Sequence, residues 1–406
     1  MSANLPARHR AGLLWRLVFH LATAVAIVML TALLLTIVNR AFGLVAIENA
    51  IDPAELARDG VPLERMDGAA LTAVLADHVS RGLLRRFERD QPLAERGRDE
   101  VYNLVVERVV DPSVVQAWSL WDSLFRRRAV VAEAMSRHPG ARLVFRSWLT
   151  GSFIADAQSS IPEDAGVRAA IKGSLGTILI TILFAFPVGV GAAIYLEEYA
   201  RDNRLNRIIQ TNINNLSGVP SIIYGMLGLT VFVRAMEPVT SGALFGLGDG
   251  SANGRTILSA GLTLGLLILP VIIINAQEAI KAVPDSLRQS SYGLGATKWQ
   301  TIRHHVLPSS LDRILTGTIL ATSRAIGETA PMVVVGASTL VTLDPTGPFS
   351  KFTTLPIQIY QWTARPQAEF RNAAAAAILV LLVLLLTLNA TAILLRNYHA
   401  RKQVGA

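Results

Sequence analysis

Six apolar runs, each long enough to cross a bilayer, constrain the fold of this chain more than any other feature. In hydrocarbon a backbone N–H or C=O finds no water, so a spanning segment must be a helix or part of a closed barrel. The runs cover residues 15–38, 169–196, 208–233, 256–280, 315–341 and 373–395. Each meets the roughly twenty residues a helix needs to span the core. Composition agrees: 51% of residues are hydrophobic, only 17% are charged, and the mean hydropathy is +0.41. The expected fold is an all-α polytopic membrane protein with six transmembrane helices. The first run is too long for a signal peptide, and no Ala-x-Ala-like cleavage site follows it in NRAFG, so its retention as a helix is expected.

Orientation follows from the short flanks. Arg8, Arg10 and Arg16 precede the first run, Arg201, Arg204 and Arg207 follow the second, and Lys281, Arg288, Lys298, Arg303 and Arg313 lie between the fourth and fifth. Arg396, Arg401 and Lys402 close the chain. All four groups fall on one side, and the positive-inside rule makes that side cytoplasmic, with both termini inside. The division expected is a cytoplasmic N-terminus (1–14), a first span (15–38), an external insert (39–168), a five-helix core (169–396) and a cytoplasmic tail (397–406).

Residues 40–168 carry 17 basic and 19 acidic side chains, a net of −2, which leaves +10 for the rest of a chain whose total is +8. The basicity is therefore a topology signature, and a nucleic-acid partner, which needs basic residues clustered on one soluble face, is not expected. With no cysteine the insert has neither disulfides nor thiolate metal sites, and its His78 and His138 lack the spacing of a metal site. It reads as mostly helical: Leu71, Val74, Leu75, Val79, Leu83 and Leu84 recur at helical spacing, and Asp111-Pro112 reads as the start of a helix running through Trp118, Trp121 and Leu124. The triple Arg126, Arg127, Arg128 reads as a solvated helix face.

Chemistry concentrates in two of the runs. In the fifth, TSRAIGETAPMVVVG places Arg324 and Glu328 four residues apart on one helical face. Ionisable groups at that depth are costly and must face a protein interior or a wet pathway. Gly327 and Pro331 beside them suggest a bend or close packing. In the third run Asn214, Ser217, Gly218, Ser221 and Gly225 share one helical face, a stripe that fits either pore lining or helix packing. Pro220 removes a donor there, so the carbonyl of Leu216 needs another partner.

Between the fourth and fifth runs lies a polar, basic loop, residues 284–308, PDSLRQSSYGLGATKWQTIRHHVLP. Two short helical patterns meet at Gly295, and Pro308 is expected to stop the second. Trp299, Ile302 and Val306 form one apolar stripe, of the kind that docks into a partner's groove. The loop resembles the EAA loop of ABC-importer permeases, with Gly295, Leu307 and Pro308 in register. Gln289 and Ser290 stand where Glu-Ala is usual, and His305 replaces Ile. SGVPSIIYG (217–225) and RAIGETAP (324–331) narrow the likeness to phosphate-importer permeases, and the second is similar to the PstA type. The likeness covers roughly residues 169–402.

That resemblance implies the type I ABC-importer permease fold in a bacterial inner membrane. It implies a second, PstC-like permease, a PstB-like ATPase dimer that binds ATP with Mg, and a periplasmic PstS-like phosphate-binding protein. The expected pathway residues are Arg324, Glu328, Asn214, Ser217 and Ser221. Gln289, Gly295, Trp299, Ile302, Leu307 and Pro308 are expected to couple to the ATPase. GLGATKW lacks the glycine that a phosphate-binding P-loop places before its lysine, so the chain itself is expected to hold no cofactor and to catalyse nothing. The alternatives are a permease for sulfate, molybdate or phosphonate, a proton-coupled carrier, for which the loop has no use, and a membrane sensor with a ligand-binding insert, for which the tail is too short.

Overall fold

The computed structural model describes residues 5–404 except 59, 248–251, 338–340 and 342–343. The side chains of Arg8, Arg10, Arg401 and Lys402, and residues 338–340 of the expected fifth span, lie outside what is described. The chain divides into two units, residues 1–149 with 367–372, and residues 150–366 with 373–406.

The first unit begins with α1 (Leu5–Ala41), a helix whose stretch Gly12–Ala41 is apolar and is exposed over residues 12–36, as a lipid-facing span should be. Its threonines are satisfied within the helix: Thr23, Thr31 and Thr36 donate to the carbonyls of Phe19, Ile27 and Ala32 at 2.8–2.9 Å. The chain then enters β1 (Phe42–Asn49), the central strand of an antiparallel sheet ordered β2-β1-β3, with β2 at Pro112–Ala117 and β3 at Arg142–Ser147. Gly43 is obligatory in β1, because a Cβ there would lie 2.0 Å from the carbonyl oxygen of Trp118. Helices α2 (Gly68–His78), α3 (Arg81–Asp90) and α4 (Arg98–Val105) cover a core of Leu63, Leu71, Val74, Leu75, Val101 and Val105. Ser80 caps α3 by accepting from the N–H of Leu83, so the apolar series from Leu71 to Leu84 belongs to two helices rather than one.

The helix expected from Asp111-Pro112 does not form. Asp111 turns the chain with φ +42 and residues 112–117 become β2. A β-branched pair, Val114 and Val115, fits a strand edge better than a helix start. Only α5 (Leu120–Phe125), capped by Ser119, is helical, followed by α6 (Arg127–Arg137).

The second unit starts with α7 (Gly151–Ala155) and centres on two apolar helices, α8 (Arg168–Ile194) and α12 (Ile257–Lys281). They pack closely through small residues. A Cβ on Gly261 would meet Ile180 at 2.6 Å, and Thr181 donates to the carbonyl of Gly261 at 3.0 Å. Asp344, in the segment before α17 (Leu355–Thr363), ties down the start of α8 through Lys172 at 2.7 Å and Arg168 at 2.9 Å. The hydrogen bond from the Lys172 ammonium holds the Asp344 carboxyl below the usual carboxylate range.

The third run is not one straight span. It is α9 (Arg204–Leu216) and α10 (Ser221–Gly228), the latter continued by a wide turn over Leu229–Ala235, with a 108° bend between the two halves. Pro220 is the cause, having neither an N–H to give nor room beside the preceding turn. The orphaned carbonyl of Leu216 takes a 2.7 Å hydrogen bond from the hydroxyl of Tyr224 and one from the N–H of Val219. A short helix, α11 (Glu237–Thr240), leads onward.

The fifth run also differs from expectation. After α13 (Asp285–Gly293), the helix that carries it begins with α14 (Lys298–Thr301), passes through a wide turn at Ile302–Val306 and continues as α15 (Leu307–Gly327). Pro308 therefore does not stop the helix. It falls in the first turn of α15, and the wide turn before it absorbs its missing N–H. The run then breaks at Glu328 and resumes as α16 (Ala330–Val335). The last helix is α18 (Ala368–Val404). Among the described residues four helices are long and apolar enough to cross a membrane, Gly12–Ala41, Arg168–Tyr199, Ile257–Lys281 and Ala368–Tyr398, and a fifth is counted if the bent pair forms one span. The chain is a multi-pass helical membrane protein.

Tyr224 is 5% exposed and serves the break directly. Tyr224→Phe should lower stability by about 1 kcal/mol, the worth of one net hydrogen bond, read as a lower midpoint of thermal unfolding in detergent.

Candidate functional site

Arg324 lies in the last turn of α15, and Glu328 is the residue at which that helix ends, with extended backbone. The two meet as the sequence implied, through a single Nε to Oε1 contact of 3.4 Å. The Arg324 side chain is 56% exposed and that of Glu328 is 19% exposed, so the guanidinium faces an open surface while the carboxylate is turned inward. The contact uses one edge of a fork that has five N–H donors, and most of them stay available.

On its inner side Glu328 borders a cavity of about 10 Å3, lined also by Ser174, Thr177, Leu264, Met332 and Thr354. That is room for about one water. Ser174 accepts from the N–H of Leu355. The hydroxyls of Thr177 and Thr354 are buried and have no hydrogen-bond partner among the described residues. Buried polar groups of this kind are uncommon and call for a physical account. Sequence inspection missed these hydroxyls, because Thr177 and Thr354 lie far apart along the chain and only packing unites them.

The third-run residues are less unified than expected. The break at 217–220 ends the shared helical face: Ser217 caps α9 and Ser221 opens α10. Asn214 is exposed and accepts from Gln210 at 3.2 Å, and Gln210 exchanges hydrogen bonds of 2.8 and 3.1 Å with the buried Gln277 of α12. α10 packs on α16, where a Cβ on Gly225 would meet the Cα of Pro331 at 2.7 Å. Close packing is thus the role of Gly225 and Pro331. Ser221 sits at the start of the half-helix whose other end lies against the segment after Glu328.

The loop at 284–308 folds as two helices around a glycine. Gly295 has φ +82, a conformation that costs any other residue about 1 kcal/mol. Thr297 and Gln300 form a capping box that starts α14, and the hydroxyls of Ser291 and Thr301 meet at 2.9 Å between the helices. The expected docking stripe is divided. Ile302 and Val306 are each 1% exposed, and Val306 packs with Ala276, Ile280 and Ile314, with Leu307 beside them. Trp299 is 51% exposed and Leu294 90%. The wide turn at Ile302–Val306 causes the difference, since it takes those residues off the register an α-helix would give them. Gln289 is exposed.

An ion pair that the sequence did not reveal fixes this loop. Arg288 on α13 reaches Glu198 at 3.0 and 3.1 Å and also donates to the carbonyls of Ile280 and Val283. The two side chains are 15% and 7% exposed. Lys298 lies over the ring of Tyr199 at 5.2 Å. The wide turn Tyr195–Tyr199 after α8 is therefore the seat of the loop. The pair Glu197-Glu198 beside Tyr199 was a signal available in the sequence.

Broken apolar helices, an arginine–glutamate pair at one break and a folded polar loop between spans define a membrane-embedded transport component. Residues 185–403 match the family described as binding-protein-dependent transport system inner membrane component, and the chain belongs to that family. The probable ABC transporter permease protein YqgI of Bacillus subtilis (strain 168) is 34% identical over 217 residues, 53% of this chain and 68% of that one. The phosphate transport system permease protein PstA of Yersinia pestis is 34% identical over 239 residues, 59% of this chain and 74% of that one. Among solved structures, the MetNI methionine ABC transporter in an inward-facing conformation superimposes with a TM-score of 0.43 at 18% identity, covering 57% of this chain and 97% of that one.

Glu198→Ala should leave Arg288 buried without its main counter-charge and cost about 3 kcal/mol. The loop should then open more often, so trypsin should cut faster at Lys298 and Arg303. Cleavage at the wild-type rate would show that the pair does not hold the loop.

Proposed function

We propose that this chain is the transmembrane permease subunit of an ATP-driven phosphate importer, of the PstA type. It would form the pathway with a second, PstC-like permease, above a PstB-like ATPase dimer and below a periplasmic PstS-like binding protein. The inner membrane would hold it with both termini in the cytoplasm and residues 39–168 outside, as the placement of arginine and lysine suggests. Membership of the family and relatives that include a phosphate permease support the class.

The observation that carries the reading is the half-exposed Arg324 held to Glu328 by one long contact. Phosphate offers a planar guanidinium two oxygens at once, which a single carboxylate edge does not match. In this reading the anion takes the fork from Glu328. The freed carboxylate then turns to the hydroxyls of Thr177 and Thr354, which have no other partner among the described residues. Each charge keeps a partner in both states, so passage needs no bare ion in hydrocarbon. Asn214, Ser217 and Ser221 would line the remaining path along the broken third segment. Hydrolysis of ATP with Mg occurs on the partner, and its closure would reach the helices through Gln289, Gly295 and Trp299, with Ile302, Leu307 and Pro308 carrying the motion into α15.

Uptake of labelled phosphate into vesicles carrying the whole complex tests the site. Arg324→Gln should abolish uptake with assembly intact, and Arg324→Lys, which keeps charge but loses the fork, should restore only part. Full uptake by the Gln variant would overturn the role of Arg324. Thr177→Val should slow uptake by about tenfold, the worth of a hydrogen bond to a charged group, without lowering the thermal midpoint, since the hydroxyl bonds nothing at rest.

Gly295→Val tests the coupling. A Cβ added there meets no atom within 4 Å, so the strain at that atom lies in φ. The variant should insert normally yet lose ATPase binding or ATP-driven uptake, and both unchanged would remove the loop from the coupling path.

A further inference from the structure

Outside the transport core, α5 carries a feature that transport does not use. Trp121, Leu124 and Phe125 recur at i, i+3 and i+4, share one face, and are 58%, 64% and 68% exposed. The rings of Trp121 and Phe125 lie 4.2 Å apart. On the opposite face Ser123 is buried and donates to the carbonyl of Ser119. A soluble domain rarely shows water such a cluster without a purpose.

Position supplies the purpose. The N–H of Trp121 donates to Asn39 Oδ1 at 2.7 Å, which fixes α5 beside the end of α1, where the apolar span Gly12–Ala41 gives way to the insert. Between them runs an apolar groove of about 350 Å3 lined by Leu35, Val38, Leu120, Trp121, Leu124 and Phe125. Exposed apolar side chains thus stand on both sides of the groove, Leu35 on α1 and Trp121, Leu124 and Phe125 on α5. At the far end of α5 stand Arg126, Arg127 and Arg128, all exposed. Arg126 has only a 3.8 Å contact with Asp122, and no ion pair engages Arg127 or Arg128 among the described residues.

We propose that α5 is an interfacial helix, and that its groove with α1 seats an anionic phospholipid of the leaflet facing the insert. The acyl chain lies against Leu35, Trp121 and Phe125, and the headgroup phosphate meets the three arginines. Tryptophan at the level of the headgroups and arginine just beyond them is the arrangement that membrane interfaces favour. The partner is lipid rather than a polypeptide because the face shares its groove with the apolar span of α1 and ends in a cluster of one sign of charge. The inference does not depend on which anion the core transports.

The chain has no cysteine, so a nitroxide can be placed at one chosen site. The probe is the full complex, with partner thiols removed, in nanodiscs of phosphatidylcholine alone or mixed with phosphatidylglycerol. A label at Phe125→Cys should collide with dissolved oxygen more than with a water-soluble nickel chelate, and a label at the exposed Glu88→Cys should do the reverse. Detergent-extracted wild type should retain phosphatidylglycerol over phosphatidylcholine by about tenfold, and replacing Arg126, Arg127 and Arg128 together by glutamine should remove that preference. Access of nickel to position 125 would show a water-facing helix and overturn the proposal. Exclusion of both reagents would show a protein partner on that face and overturn it equally. A lipid-exposed label with no preference between the two lipids would overturn the anionic headgroup site.

Discussion

Hydrocarbon offers no hydrogen bonds, and the structure depends on that fact at every scale. The threonines of α1 bond back to their own helix. The carbonyl freed by Pro220 is met by a tyrosine hydroxyl. Arg324 and Glu328 neutralise each other at a helix break. Where the chain abandons the helical ladder, it does so beside a residue able to replace the lost bond. Among the described residues Thr177, Thr322, Thr353, Thr354 and Gln358 keep buried polar atoms without a partner, and the hydroxyls of Thr177 and Thr354 adjoin the Glu328 carboxylate.

Much of this could be read in the residues. Apolar runs are long-range signals and survive any local detail, so the helices at 15–38, 169–196, 256–280 and 373–395 lie where their hydropathy put them. The arginine–glutamate pair was legible because two charges in an apolar run stand out. Gly295 was legible because a polar loop needs a turn and glycine takes positive φ.

What escaped was settled by contacts between distant segments. A proline in an apolar run can kink a helix or end it, and only the neighbour that catches the free carbonyl decides; at Pro220 the result was a 108° bend. At Pro308 a wide turn upstream let the helix continue. That same turn carried Ile302 and Val306 into the core and left Trp299 outside, against the expectation of one stripe. The strand at Pro112–Ala117 was hidden because its identity comes from pairing with β1. Glu198 and Arg288 are 90 residues apart, so the acidic pair marked one end of the contact while nothing along the chain joined it to Arg288.

The two helix breaks have a mechanical consequence when taken together. α10 follows one break and α16 follows the other, and Gly225 on Pro331 brings their backbones into direct contact. Each half-helix starts at a gap in the ladder of its parent and is held to its counterpart by packing that leaves no space for a methyl group. The pair thus links two helix breaks, one at Pro220 and one at Glu328. A shift of α10 that carries Gly225 would displace Pro331, so the polar break of the third segment and the charged break of the fifth are not mechanically independent.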